Sequence, residues 1–477
     1  MFSIVHQGVW CNIYATNFGM VKSENGVNEL MVDLTVIGGG LAGSEAAWQA
    51  AERGINVRLF EMRPMRQTGA HKGASLAELV CSNSLGSNLP DRSSGLLKEE
   101  LRLMGSLLLQ MAEESVLPAG GALAVDRDVF AEKVTRRLSD HPRISIIREE
   151  ATSIPDGPAI ICSGPLTSPS LSQAIRELTG KENLAFFDAL APIVNADSIN
   201  MQIAYRASRY TSPESGEGDY INCPFDREQY DRFVDALKDA EQIPLKEFES
   251  EIQLGIKAGH YFESCLPAEL MARRGEKTLA FGPMRPLGLT NPHTGKRPYA
   301  VMQLRQDNLA GSLYNLVGFQ TNLTYPEQQR VFRLVPGLEK AQFVRYGQMH
   351  RNTFIASPVL LNTSLQLVKQ PHLFFAGQIS GMEGYMGNIG AGLWAALNAV
   401  RHLTDRPLLE LPVTVMAGAL IHYITHCPLK DFQPMKANYG ILPPLETPKH
   451  GKRERAMQYR ERSLSDLERF IASYGPL

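Results

Sequence analysis

Leu34 to Ile37 is a short apolar, β-branched run that ends directly in glycines, and the pattern predicts a buried strand entering a tight turn. The next segment, "LAGSEAAWQAAERG", is rich in alanine and stops at Gly54, which predicts a helix. "INVRLFE" then predicts a second strand closing on Glu61. Much later, "AIICSGP" (Ala159 to Pro165) reads as a further strand ending in small residues, and "LFFAG" as another that runs into Gly377. After it, "GNIGAGLWAALNAV" opens a helix with Gly387, Gly390 and Gly392. Strand, helix and strand in this order predict an α/β fold built on a parallel sheet.

The first turn carries candidate chemistry. Gly38, Gly40 and Gly43 have G-x-G-x-x-G spacing within the segment Gly38, Gly39, Gly40, Leu41, Ala42, Gly43. Gly38 allows the turn, Gly40 lets a pyrophosphate approach the backbone, and Gly43 lets the helix pack closely on the sheet. The helix N-terminus offers its free N–H groups to the anion. Glu61 follows Gly43 by 18 residues, the distance expected of an acid that binds an unphosphorylated ribose diol, which favours FAD or NAD over NADP. The late strand–glycine–helix favours FAD, because two-dinucleotide-type flavoproteins use such a return to the sheet to hold the ribityl chain and flavin ring. Gly164, Gly377 and Gly390 join the candidate cofactor residues on that reading. "AIICSGP" resembles the Ala-Thr-Gly stretch of the same fold, with Ser163 in the Thr position.

Between these parts the texture changes. Residues 190–345 hold polar loops, an acidic amphipathic helix ("REQYDRFVDALKDAEQ") and basic segments punctuated by proline: "MARRGEKT", "GPMRPLG" and "HTGKRPYAVMQLRQDN". We read an inserted α+β substrate or RNA domain at 190–345, flanked by the two parts of an FAD domain at 31–189 and 346–477. The basic loops suit phosphate or another polyanion. From Lys449 to Arg462 the tail has six Lys/Arg and two Glu, a short basic helix suited to an RNA backbone. Residues 1–30 lack the charged front and apolar centre of a secretory signal and read as a disordered extension.

Bulk numbers narrow the class. With 477 residues, 44% hydrophobic, 21% charged and net charge −2, the chain is typical of globular proteins and does not wrap long nucleic acid by bulk charge. No apolar run reaches the roughly 18 residues of a membrane span. The six cysteines, Cys11, Cys81, Cys162, Cys223, Cys265 and Cys427, form no C-x-x-C and are too few for a disulfide framework. A reducing, cytoplasmic setting fits them. His422 and His426 lie four apart with no third ligand in view, so no metal site is expected.

The segments "AELVCSNSLGS", "GGALAVDRDVF", "YINCPF", "FESCLPAE", "FGPMRPLGL", "TGKRPYAVMQLRQDN", "VRYGQMHRNTFI" and "FFAGQISGMEGY" resemble the folate- and FAD-dependent tRNA uracil-5-methyltransferase family, TrmFO. With the glycine motif they span about residues 33 to 400. The resemblance implies a two-dinucleotide-type FAD-binding Rossmann fold and methylation of uridine 54 in the T-loop of tRNA. Methylenetetrahydrofolate would be the carbon donor and NAD(P)H the reductant. It also implies two thiols, Cys223 as nucleophile toward uracil C6 and Cys81 as its partner near the flavin, with the two roles exchangeable. Uracil C5 is a poor nucleophile until a thiolate adds at C6, so the chemistry calls for an activated cysteine. Tyr346, His350 and Tyr385 are candidate stacking partners for uracil or pterin, and Arg351 a partner for a folate carboxylate or RNA phosphate. Cys162, in a strand, reads as core. This chain departs from the family in having Gly86 where many members have Arg, "MGNIGAG" where many have Glu-Ser, and Ser163 for Thr. The competing readings are the same chemistry on ribosomal RNA and a small-molecule flavin oxidoreductase. The sequence leaves the oligomeric state open.

Overall fold

The computed structural model describes residues 34–180, 184–209, 218–243 and 266–475, without the side chains of 185–189, His350 and Arg351. The expected extension at 1–30 and Cys265 lie outside the described residues.

Five parallel strands make the first sheet, in the order Leu373–Phe375, Ala159–Ile161, Leu34–Ile37, Val57–Phe60, Ile144–Ile147. Three of them are buried at every position, as expected of a parallel sheet covered on both faces. Helix Leu41–Glu52 packs against helix Tyr385–Leu403 so tightly that a Cβ on Gly392 would stand 2.1 Å from the Ala42 carbonyl oxygen. This contact brings both helix N-termini to the same end of the sheet. Strand order reverses between Leu34–Ile37 and Ala159–Ile161, and such a reversal leaves a crevice at the strand C-termini.

The second sheet has six strands, in the order Tyr205–Ala207, Tyr220–Phe225, Ala300–Gln306, Leu313–Leu316, Ile193–Asn195, Phe343–Arg345. Its pairings are antiparallel. Ile221, Cys223 and Phe225 alternate onto one face and meet Tyr230, Phe233, Val234 and Leu237 of helix Arg227–Asp239 in a separate apolar core. That helix starts with a capping box, Asp226 with Gln229, as the acidic amphipathic pattern led us to expect. Strands Leu184–Ala189 and Met349–Phe354 pair antiparallel. The segment "MARRGEKT", expected as a loop, contributes a short helix, Ala268–Arg274, because Ala268, Glu269 and Ala272 are buried on one side.

The basic tail forms helix Lys452–Tyr474, but much of its charge is used within the molecule. Arg460 pairs with Glu99, Arg453 with Asp91, and Arg462 donates to the carbonyls of Pro443 and Pro444. Tyr459 stacks on Tyr439. The tail is thus a packed element along one side, while Lys449, Lys452 and Arg455 remain exposed.

Glu100 joins three helices. Its carboxylate accepts from the Met416 and Ala417 N–H groups at the start of helix Met416–His426, and from the Ser463 hydroxyl of the last helix. Burial pushes its pKa from 4.5 up to about 7 against the pull of these bonds. The contribution this implies is fully present below the unfolded value and is lost as pH rises through the folded one, on the order of 3 kcal/mol in all. Melting temperatures between pH 5 and 8 should therefore fall less steeply in Glu100→Gln than in wild type. Parallel slopes would refute the assignment.

Candidate functional site

The crevice at the strand ends is an open groove lined by Gly38, Gly40, Leu41, Ala42, Glu61, Ser163, Gly164, Gly377 and Asn388, among others. The three motif glycines answer different demands. Gly38 has φ +103°, and a Cβ there would lie 2.4 Å from the Cys162 carbonyl oxygen. A Cβ on Gly43 would lie 1.8 Å from the Gly38 oxygen. At Gly40 a Cβ would meet nothing within 4 Å, so packing within the protein gives no reason for glycine there. A ligand pressed against the backbone does.

Glu61 stands at the mouth of its strand, 5% exposed. One carboxylate oxygen accepts from the Gly39 N–H at 3.0 Å, and the other from the Arg63 backbone N–H and Nε. Burial raises its pKa, but the Arg63 bonds and charge outweigh this and hold the group below the ordinary range. An ionised acceptor thus faces the groove, as a ribose diol requires. His71 lines the same groove, and burial, reinforced by the Arg63 charge, brings it down to about 4, so the ring is neutral at pH 7.

Asn388 adds a second test of fit. It lies in the first turns of helix Tyr385–Leu403, 8% exposed, and its Oδ1 is buried at the groove without a hydrogen-bond partner. An unmet buried acceptor is costly, and a bound donor relieves it. FAD carries donors in its ribityl hydroxyls and flavin N–H. The open backbone at Gly40, the carboxylate of Glu61 and the unmet acceptor of Asn388 together fit that group. The sequence reading passed over Asn388 in favour of the glycines around it. Gly390, one of those glycines, sits beneath Leu101 in the helix packing and does not line the groove.

A second cavity continues the first, sharing Val80, Pro165, Leu166, Gln378, Tyr385 and Asn388, and it contains Cys81. The Cys81 loop is gripped residue by residue. Arg127 donates to the Leu79 carbonyl at 2.9 Å, and Arg345 to that of Val80 at 2.9 Å. The N–H groups of Cys81 and Ser82 donate to the Tyr385 hydroxyl at 2.9 and 3.0 Å. Arg305 donates to Ser82 Oγ and to Asn83 Oδ1, both at 2.8 Å. Arg127 is itself held by Asp307 at 2.9 Å. Three guanidinium groups thus stand in electrostatic reach of the thiol. Burial pushes the Tyr385 phenol up, with the Cys81 charge adding to it, so the hydroxyl keeps its proton.

The other predicted residues fall elsewhere. Cys223 is fully buried in the core of the second sheet, paired across strands with Met302, and lines neither cavity. Burial raises its pKa far above the ordinary thiol value. The expectation that Cys223 attacks uracil is therefore corrected: a thiol here is neutral and shielded. Cys162 is buried as expected. Tyr346 lies in a stack between Tyr325 and Phe343, at ring separations of 4.7 and 5.6 Å, so a base would have to displace one of them. His350 and Arg351 occupy the strand Met349–Phe354, their side chains outside the description. His422 and His426 stack on each other, and no metal-binding group appears among the described residues.

The glycines yield a prediction. Gly40→Ala should leave the melting temperature of the cofactor-free protein at its wild-type value but weaken FAD binding at least about tenfold, as should Asn388→Ala, which removes one hydrogen bond to a buried group. Gly43→Ala should destabilise the cofactor-free protein itself. Titration of FAD into the stripped proteins and thermal melts check both, and equal behaviour of Gly40→Ala and Gly43→Ala would sink the distinction.

Comparison with known proteins agrees with this geometry. The family model for Glucose inhibited division protein A, GIDA, matches residues 33–407. A protein of Heliobacterium modesticaldum named methylenetetrahydrofolate–tRNA-(uracil-5-)-methyltransferase TrmFO is 54% identical over 440 residues, covering 92% of this chain and 98% of its own. The TrmFO of Bacillus subtilis is 52% identical over 435 residues, covering 91% and 98%. Among solved structures, Aquifex aeolicus GidA (form II crystal) aligns with a TM-score of 0.63 over 92% of this chain and 75% of its own, and at 15% identity this speaks for the fold alone. With more than half of its residues identical to such relatives over nearly their whole length, and a groove at the strand ends that continues to a clamped cysteine, this chain belongs to the TrmFO branch of the GidA family.

Proposed function

We propose that this protein methylates C5 of uridine 54 in the T-loop of tRNA, taking the carbon from methylenetetrahydrofolate, with FAD as cofactor and NAD(P)H as the source of electrons. The observation that carries this reading is the placement of Cys81. A thiol in a rigid, cationic loop at the end of a dinucleotide groove has no use in a plain electron carrier.

The residues then have distinct tasks. Gly38 to Gly43 and Glu61 would hold the adenine dinucleotide part of the cofactor, and Asn388 would accept a hydrogen bond from a donor on it. Bound FAD, once reduced, supplies the two electrons that turn a methylene into a methyl group. The T-loop base is folded into the tRNA and must leave its stack to reach the cavity. A thiolate adds to C6 and makes C5 an enolate carbon, which bonds to the folate methylene. A base removes the C5 proton as the methylene–nitrogen bond breaks and tetrahydrofolate leaves, which gives an exocyclic methylene; that carbon takes up the hydride equivalent, and the C6–S bond then breaks so that the ring regains its double bond. Cys81 is suited to the proton transfer, because its loop cannot drift and Arg127, Arg305 and Arg345 favour negative charge beside it. Tyr385 is a positioning residue, its hydroxyl fixing two amides of that loop.

The C6 nucleophile must be another thiol. Cys162 and Cys223 are core residues, and Cys427 lines neither cavity. Cys11 and Cys265 lie outside the described residues. Cys265 belongs to the "FESCLPAE" segment and precedes Leu266, which is buried against Met349 of the strand that also supplies Asn352 to the Cys81 cavity. Cys265 is the assignment we test.

Unmodified tRNA transcript, methylenetetrahydrofolate and NADPH are incubated with each variant, and 5-methyluridine is measured by mass spectrometry. Wild type should form it. Cys81→Ala and Cys265→Ala should lose at least about a thousandfold, the scale of a missing nucleophile or base. Cys223→Ala should stay within a few-fold of wild type and melt lower. Full activity of Cys81→Ala would overturn the reading of the site. Product on ribosomal RNA but not on tRNA would move the substrate.

A further inference from the structure

The second sheet carries a feature that the chemistry at Cys81 does not use. Residues 273–297 contain six Lys/Arg and a single acid, Glu276. Lys277, Arg285, Lys296 and Arg297 are exposed, and Phe281 beside them is 76% exposed. These residues are held on one rigid support. The Tyr230 hydroxyl donates to the Glu276 carbonyl and accepts from the Ala280 N–H, while its ring meets Tyr299, two residues past Arg297. Arg209 reaches the carbonyls of Arg285 and Leu287, which fixes the far end of the segment and adds a further positive charge to it.

The position of this face decides what it suits. Met284 bonds through its carbonyl to the Val301 N–H, at the start of strand Ala300–Gln306. The other end of that strand touches the Cys81 loop, where the Asn83 amide donates to the Gln306 carbonyl. Six steps at strand rise separate the two ends by about 20 Å. That is too far for a group contacting the reacting carbon, and a distance that a folded RNA spans with its backbone. Fixed cations around an exposed ring match what RNA offers, phosphates and the flat face of an unpaired base.

We infer that the face around Lys277, Phe281, Arg285 and Arg297 is a second docking platform for tRNA, which grips its backbone away from the target uridine. The inference rests on the proposed RNA substrate. It gives the enzyme a means of selecting folded tRNA over a short strand containing the same loop sequence.

The test uses the FAD-loaded full chain and the variant Lys277→Ala/Arg285→Ala/Arg297→Ala, with Phe281→Ala as a second variant. Lys277, Arg285 and Arg297 are charged and exposed and Phe281 is exposed too, so folding should hold, and melts together with FAD content verify it. tRNA affinity is measured against KCl concentration. The triple variant should bind at least about tenfold more weakly at low salt, with the slope of log K against log salt shallower by about two to three. Phe281→Ala should bind more weakly with the slope unchanged. A triple variant with wild-type affinity and slope overturns the platform, as does a defect confined to the KM for folate. If wild type neither binds nor methylates tRNA, the proposed function itself fails, which is a different result from a wild type that does both beside an indifferent variant.

Discussion

The buried ion pair between Arg127 and Asp307 ties the molecule's two halves together at the point where the chemistry would occur. Arg127 begins a helix of the dinucleotide-binding part, while Asp307 follows the last residue of a strand in the second sheet. Each is nearly closed to solvent. Buried pairs gain little net stability over apolar packing, yet removing one partner costs on the order of 3–5 kcal/mol because the other is left charged and buried. The pair is therefore better understood as a device for fixing geometry. Arg127 can hold the Leu79 carbonyl only while Asp307 holds Arg127. Arg305, two residues before Asp307, holds Ser82 and Asn83 from the same strand. The small and polar stretch between the buried Leu79 and Leu85 takes one conformation because a distant sheet grips it.

This explains which parts of the site were legible in the sequence. The glycine motif, its strands and Glu61 are local: their chemistry follows from spacing within about thirty residues, and periodicity and turn chemistry report on that range. The arginine clamp is not local. Arg127, Arg305 and Arg345 come from three segments whose nearest pair is forty residues apart, and each looks in the sequence like an ordinary surface cation. Only the fold shows that their guanidinium groups converge on five consecutive residues. Asn388 was hidden differently, since a polar residue in a glycine-rich helix start reads as capping chemistry until its oxygen is seen to lack a partner.

Cys223 shows the limit of a carried-over role. The string "YINCPF" is distinctive, but distinctiveness marks a family without saying why a residue is kept. Strand alternation decides the matter: Cys223 shares a face with Ile221 and Phe225, and that face is the core. In such a setting a cysteine is a small apolar side chain. Cys81 lies in a loop without that alternation, at the rim of a cavity, so the same element in the same oxidation state has a different chemical meaning. In the basic tail, whose charge density suggested a nucleic-acid contact, Glu99, Asp91 and two proline carbonyls engage three of the arginines, while Lys449, Lys452 and Arg455 stay exposed.

Strand Ala300–Gln306 draws these observations into one arrangement. Its C-terminal end carries Arg305 and leads to Asp307, and so sets the thiol loop; its N-terminal end receives the segment that bears Phe281 and Arg285. The strand pairs with Tyr220–Phe225 along Ala300–Arg305 and with Leu313–Leu316 along Leu304–Gln306, and Ala300, Val301, Met302 and Leu304 are fully buried. An extended strand held this way is stiff along its axis, so a force or a positional constraint at one end is registered at the other without a hinge. A macromolecule docked on the basic end would therefore be placed at a fixed distance from Cys81. A dinucleotide fold by itself supplies no such measure. The architecture thus separates two demands: the parallel sheet offers the cofactor a groove built from backbone geometry, and the antiparallel sheet sets the thiol loop beside it.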